Sequence, residues 1–289
     1  MFNSKPIFER KKQFTKKDAE RYLSLPKLNA DRSIDDRYVR ELIEKMNDGL
    51  FLTGHIVEAK QNGSLIGVNG QHQSTALLRA NIDSITVMHA IYDCPTLTDA
   101  AALYRQLTSK ARSASHCFAV EADAQGVQWP KALLPAIGTG LVIFDKGVSR
   151  HCTKDERCEL IAREQAAGDF ICSIMCPNGN WKVCTEYLFL KKGAVFAAMI
   201  ATWKKNRTGA TYFWEQVASG ENLRRTDPAR KLRDWILQTN VNFGKGTMGP
   251  RKADNHEILT RCIRAWNSYR TGKPTSLAVH RGKPIPKPV

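Results

Sequence analysis

The sequence predicts an α/β (α+β) domain in its N-terminal part, followed by a mostly helical, basic C-terminal region. Three observations predict it. Strand and helix signals alternate up to about residue 115, helical periodicities dominate beyond about residue 150, and the basic excess sits in the last third of the chain. These signals place two domains at residues 1–118 and 119–289.

Each element follows from local chemistry. Thr15 is positioned to cap a first helix, Lys16 to Leu25, which ends before Pro26. Ser33 precedes a second helix, in which Ile34, Tyr38, Val39, Leu42, Ile43 and Met46 recur on one face. Asp35 and Asp36 sit in its first turn and Gly49 closes it. His55–Ala59 and Leu65–Val68 read as strands, and Asn62-Gly63 between them predicts a hairpin. An amphipathic stretch, Ser74–Ala80, a strand, Ile85–Tyr92, and a helix, Thr96 to about Leu107, complete the domain. The segment 116–150 is mixed, with Gly138-Thr139-Gly140 inside an apolar run. Helical patterns then cover Lys154–Ala167, Gly193–Lys205, Tyr212–Ala218, Pro228–Gln238 and Asn255–Tyr269. Asp227-Pro228 is a helix-start signal, and the final HRGKPIPKPV is a Pro-rich basic tail expected to be extended.

Composition excludes several classes. At 42% hydrophobic and 25% charged the chain is globular, not disordered, fibrous or a coiled-coil rod. The apolar uncharged run Ala132 to Phe144 has 13 residues and contains Pro135, too short to span a bilayer, and the longer uncharged run over 61–78 is largely polar. The N-terminus lacks the apolar run of a signal peptide, so a cytoplasmic protein without a membrane partner is expected. Five of the eight cysteines fall between Cys152 and Cys184, without a C-x2-C pair. Only Cys172-x3-Cys176 resembles half a zinc site, so no metal ligand is assigned.

Charge is the strongest compositional signal. Residues 1–189 carry 24 basic and 22 acidic side chains, whereas residues 190–289 carry 20 and 6, a net of +14. Such a confined excess is the footprint of a polyanion-binding surface, and solubility alone does not require it. Arg224, Arg225, Arg230, Lys231, Lys245, Arg251 and Lys252 are the candidate nucleic-acid contacts, with DNA ahead of RNA as the partner. Phe243 to Lys252 is Gly-rich, basic and free of acids. The tryptophans nearby, Trp235 and Trp266, have neighbours at helical spacing and read as core.

One dense motif remains, Val68-Asn69-Gly70-Gln71-His72-Gln73-Ser74-Thr75-Ala76, where a strand ends and a helix begins. Such a turn aims backbone N–H groups at a positively polarised helix end, a ready anion site. Gly70 permits positive φ or close approach, and His72 can donate to phosphate or act as acid or base. The plainer alternative is an N-cap with a satisfied histidine.

Residues Ala19 to His116 resemble the ParB/sulfiredoxin-like fold, in the branch marked by a D-G-Q-H-R turn. The matching elements are Asn29 to Ile34, the helix Val39–Gly49, and Asn69-Gly70-Gln71-His72-Gln73. Tyr104 to Leu107 with Lys110 to Ala114 is similar to that group's basic segment. Further on, Phe213 to Glu221, Asp227-Pro228 and Ala265 to Arg270 resemble the C-terminal part of phage and plasmid proteins of this architecture. The resemblance implies a turn that binds nucleotide phosphates in some members, which leaves ATP or CTP, with Mg²⁺, as open cofactors. Other members are described as nucleases. The turn has no Cys, which argues against sulfiredoxin chemistry.

Two departures stand out. Asn69 replaces the usual acid, and Gln73 replaces the usual arginine, removing a bidentate phosphate clamp. Arg32, Arg79, Lys110 and Arg112 are the positive charges that would have to substitute. The candidate phosphate or nucleotide ligands are therefore Arg32, Asn69, Gly70, Gln71, His72, Gln73, Ser74, Arg79, Lys110 and Arg112, with His72 the one catalytic candidate. The expected function is nucleic-acid binding with a phosphate or nucleotide pocket at this turn. The alternatives are a metal-dependent nuclease or NTPase using the same turn, and a basic protein that grips an acidic protein partner.

Overall fold

A computed structural model describes residues 5–28, 34–107, 114–148, 152–241, 253–274, 276–278 and 284–289. The chain divides into two compact units, Met1–Val127 and Gln128–Val289. A boundary at 118/119 would cut the helix Ala114–Ala124, so the division falls after that helix.

Unit 1 is a mixed α/β structure. Its elements in chain order are β1 (Phe8–Thr15), α1 (Lys16–Ser24), α2 (Asp36–Asn47), β2 (Gly54–Gln61), β3 (Ser64–Asn69), α3 (Gln71–Arg79), β4 (Ser84–Asp93), α4 (Leu97–Gln106) and α5 (Ala114–Ala124). The four strands form one sheet in the order β1-β4-β2-β3. β1 runs antiparallel to β4, β2 parallel to β4, and β2 antiparallel to β3. Side chains alternate across the strands, and each face buries its own core. Phe14, Ile56, Ile85 and Val87 pack with α1, α2 and α3. Val57, Ala59, Ile66 and Val68 pack with α4 and residues of α5 on the other face.

Local signals explain most of these elements. Thr15 and Asp18 make a reciprocal capping box at α1, as do Thr96 and Asp99 at α4. Asn62 and Gly63 both have positive φ, which matches the twist of the β2–β3 hairpin. The second helix starts at Asp36, one residue after its cap. Asp35, whose carboxylate accepts the N–H groups of Arg37 and Tyr38, is that cap. β1 carries no signal that periodicity detects. In FERKKQFT only the phenylalanines are apolar, because the strand lies at the sheet edge with most residues exposed.

Among the described residues the regular elements of unit 2 are all helical: α6 (Leu134–Lys146), α7 (Lys154–Arg163), α8 (Gln165–Met175), α9 (Gly193–Lys205), α10 (Arg207–Ser219), α11 (Pro228–Val241) and α12 (Asn255–Thr271). A short 3₁₀ turn spans Thr185–Leu190. The core is α9, whose residues Ala194 to Ile200 are all buried among α6, α8, α10 and α12. An apolar surface all round is what a central helix requires. The Gly138-Thr139-Gly140 run belongs to α6, whose Pro135 sits in the first turn, where it costs no hydrogen bond. A Cβ on Gly140 would lie 2.7 Å from Phe196 Cβ, so glycine lets α6 approach α9 closely. Trp214 and Trp266 are fully buried, and the Trp214 indole N–H donates to Thr202 Oγ1 at 2.9 Å. The expected helix over 154–167 breaks at Glu164 into α7 and α8. Among the described residues, no helix is long and apolar enough to cross a membrane.

Candidate functional site

The turn that opens α3 is built by one residue. Gly70 has φ +129°, and a Cβ there would lie 2.4 Å from Ile56 Cδ1. Any side chain would meet both backbone strain and β2. α3 then starts with no capping side chain and no acid in its first turn, so its polarised N-terminus carries no built-in anion. Gln71, His72 and Gln73 are half-buried around it.

The polar side chains of the turn are largely engaged by the scaffold. Asn69 donates its carboxamide N–H to the His55 carbonyl at 3.0 Å, and Gln73 Oε1 accepts the His55 N–H at 3.2 Å. The two departures from D-G-Q-H-R thus brace one residue from both sides. An aspartate at 69 would have no proton to donate, and an arginine at 73 no lone pair to accept with. His72 Nε2 accepts the Asp35 N–H at 3.0 Å, which places the ring proton on Nδ1 in the neutral form, and the ring lies 5.5 Å from the Tyr38 ring. Ser74 is fully buried, and among the described residues neither its hydroxyl nor that of Thr75 has a hydrogen-bond partner.

The positive charges expected to gather here are only partly traceable. Arg32, Lys110 and Arg112 lie outside the described residues. Arg79, at the far end of α3, forms an ion pair with Asp36 at 3.3 Å. It therefore comes to the rim of α2 already carrying a carboxylate, beside the Asp35 that meets His72. In the described part of the basic segment, Arg105 forms an ion pair with Glu121 of α5 and is mostly buried.

A second polar cluster in unit 1 was not foreseen. Glu58, fully buried on β2, accepts hydrogen bonds from Arg21 of α1, and His89 Nε2 of β4 lies 3.2 Å from its Oε1. Burial would raise the Glu58 carboxyl, but the hydrogen bonds from His89 and Arg21 and their charge together hold it below the ordinary range. A signal existed. A lone acid stands inside the apolar strand His55–Ala59, where only a paired charge is tolerated.

In unit 2 the candidate contacts divide sharply. Arg224 and Arg225 are exposed in the connection before α11, and neither forms an ion pair among the described residues. Lys231 is half-buried on α11. Arg230 pairs with Asp234 at 3.0 Å, which discounts it as a free charge. Arg233 donates to the carbonyls of Val217 and Ala218 and caps α10. Arg261 pairs with Glu257 and lies over the half-buried Trp235. Lys245, Arg251 and Lys252, with the rest of the acid-free loop, lie outside the described residues.

Among the described residues, no three His, Cys, Asp or Glu side chains are grouped to hold an ion. Burial pushes the Cys172 and Cys176 thiols up, which keeps them protonated at neutral pH. No protein-family model matches the chain, and no curated protein or solved structure matches it either.

Proposed function

We propose that this protein binds nucleic acid, DNA in the first place, through a ParB-like N-terminal unit joined to a basic helical unit. In this reading a phosphate or nucleotide group seats at the Gly70 turn. The observation that carries the reading is the charge distribution: 20 basic against 6 acidic residues over 190–289, with Arg224 and Arg225 exposed and unpaired among the described residues. The uncapped start of α3 supports the pocket, since its N–H groups favour an anion.

The same geometry favours binding over turnover. Asn69 is occupied with the His55 carbonyl, and His72 Nε2 is occupied with the Asp35 N–H, so neither is an unengaged base at the turn. A nuclease or NTPase, and a grip on an acidic protein, stand as outcomes of the tests.

Thermal melts of the full chain with ATP, CTP or inorganic phosphate, each with and without Mg²⁺, test the pocket. A ligand at 100 times its Kd stabilises by about 2.7 kcal/mol, a readily measured rise in Tm. Wild type is expected to gain this and His72→Ala to lose it while keeping its fold. No stabilisation by any of the three would remove the pocket from the Gly70 turn, and equal stabilisation of His72→Ala would leave the ligand to the backbone N–H groups of α3 without His72.

A further inference from the structure

Trp214 and Trp266 serve the core of unit 2, but other aromatic and basic side chains reach its surface where α9 ends and α10 begins. The two longest acid-free stretches of the chain, residues 187–214 and 258–289, meet there. α9 packs on both α10 and α12, and Phe213 of α10 lies against Trp266 and Tyr269 of α12, with ring centroids 5.6 and 5.2 Å apart. A Cβ on Gly209 would lie 3.3 Å from Arg270 Nη1, so the last turn of α12 reaches the first turn of α10.

This face presents planar groups. Trp203, half-buried at the end of α9, stacks on the buried Phe170 with centroids 5.5 Å apart and an interplanar angle of 16°. The exposed Arg207 guanidinium lies over the Trp203 ring, 4.6 Å from its centroid. Trp203 thus gives the guanidinium a fixed base, which lowers the rotamer freedom it loses on meeting a ligand. Tyr212, further along α10, is 57% exposed. It stands near Tyr269, whose phenol is held above its ordinary value by burial and then by Tyr212.

The face is also positive. Lys205, Arg207 and Arg270 are exposed, and none of them forms an ion pair among the described residues. Lys204 is claimed by Glu164, and Glu215 is the one acid of α10. A duplex backbone needs charge alone. Open aromatic and guanidinium planes add affinity where base faces are open too, which is the case in a single strand.

We infer that the Arg207–Tyr212 face is a stacking platform for single-stranded nucleic acid. Tyr212 and the Arg207 plane take bases, while Arg270 and Lys205 take the flanking phosphates. The inference rests on the nucleic-acid reading of the basic unit and adds to it a strand state and a contact area besides the Arg224–Arg225 connection.

A fluorescein-labelled oligo-dT of about 12 nucleotides, within the range of one single-strand site, is titrated with the full chain and followed by anisotropy, next to a duplex of the same length. Tyr212→Ala is expected to weaken oligo-dT binding at least about fivefold, and Tyr212→Phe, which keeps the ring, to bind like wild type. Duplex affinity is expected to change less than about twofold in both, since paired bases hide their faces. Arg207→Lys keeps the charge and loses the plane, and is expected to weaken oligo-dT binding about threefold. Unchanged oligo-dT affinity in Tyr212→Ala, or an equal loss for duplex and single strand, would overturn the platform and leave binding by the basic unit standing. Wild type that binds duplex but not oligo-dT would do the same. Binding of neither would overturn the nucleic-acid reading itself and the platform with it.

Discussion

The Gly70 turn and the Arg224–Arg225 connection are both polar and both candidates for phosphate contact, yet their side chains are in opposite states. At the turn, Asn69 and Gln73 hold the two backbone groups of His55, and His72 holds the Asp35 N–H. What is left for a ligand is mainly the backbone of α3's first turn. Before α11, Arg224 and Arg225 stand exposed and their guanidinium groups form no ion pair among the described residues, while the Arg224 main-chain N–H donates to Asp227 at 2.7 Å. A motif's residue types say which chemistry is available, but their hydrogen bonds decide whether it is already spent. The turn is pre-organised and largely committed; the arginines are uncommitted and long-ranged.

Four variants sharpen that contrast, from the largest effect on stability to the smallest. Gly70→Val forces a β-branched residue to positive φ and into Ile56, at a cost of about 3 kcal/mol. Denaturant unfolding should show it as a clear fall in midpoint, and an unchanged midpoint would mean the turn is not rigid. Glu58→Gln removes the buried charge that Arg21 and His89 share, with a loss of about 2 kcal/mol at neutral pH. Because the Glu58 carboxyl titrates below its unfolded value, its contribution is full above about pH 4.3 and disappears as pH falls through the folded value. Wild type and variant should therefore converge in acid, and a gap that widens in acid would reverse the sign assigned here.

Asn69→Asp combined with Gln73→Arg restores the D-G-Q-H-R pattern but breaks both His55 braces, for a loss of about 1–2 kcal/mol. A double variant as stable as wild type would show that the braces are incidental. Arg224→Ala with Arg225→Ala should change stability by less than about 0.5 kcal/mol. It should nonetheless flatten the salt dependence of DNA affinity by up to about two units. A full slope in that variant would shift the contact to other basic residues.

Much of the fold was legible because it is locally encoded. Capping residues Thr15 and Thr96, the Asn62-Gly63 turn and the apolar spacing of α9 each specify their element without help from distant residues. β1 was not legible, because an exposed edge strand needs few apolar residues and owes its place to pairing with β4. Ser33 precedes α2, but the cap is Asp35, whose carboxylate reaches the N–H groups of Arg37 and Tyr38.

The Gly70 turn was legible as a piece of structure and less so as a set of contacts. The strand–Gly–helix turn stands where the sequence puts it, and Gly70 has the positive φ its position demands. That Asn69 and Gln73 would meet the same residue, or that Arg233 would be claimed by the end of α10, depends on folding and not on spacing, whereas Arg230 and Asp234 stand four residues apart on one helix and pair by spacing alone. Glu58 was the opposite case, a visible anomaly in an apolar strand whose partners lie far away in sequence.

The most direct test of nucleic-acid binding is a mobility-shift titration of the full chain on a short DNA duplex across a salt series, with and without Mg²⁺. The account predicts a shift that weakens steeply with salt, intact DNA in every lane, and a shallower salt dependence for Arg224→Ala with Arg225→Ala. No shift even at low salt would contradict it and point the basic face toward an acidic protein. Mg²⁺-dependent nicking that His72→Ala abolishes would contradict binding without turnover and make the Gly70 turn an active site.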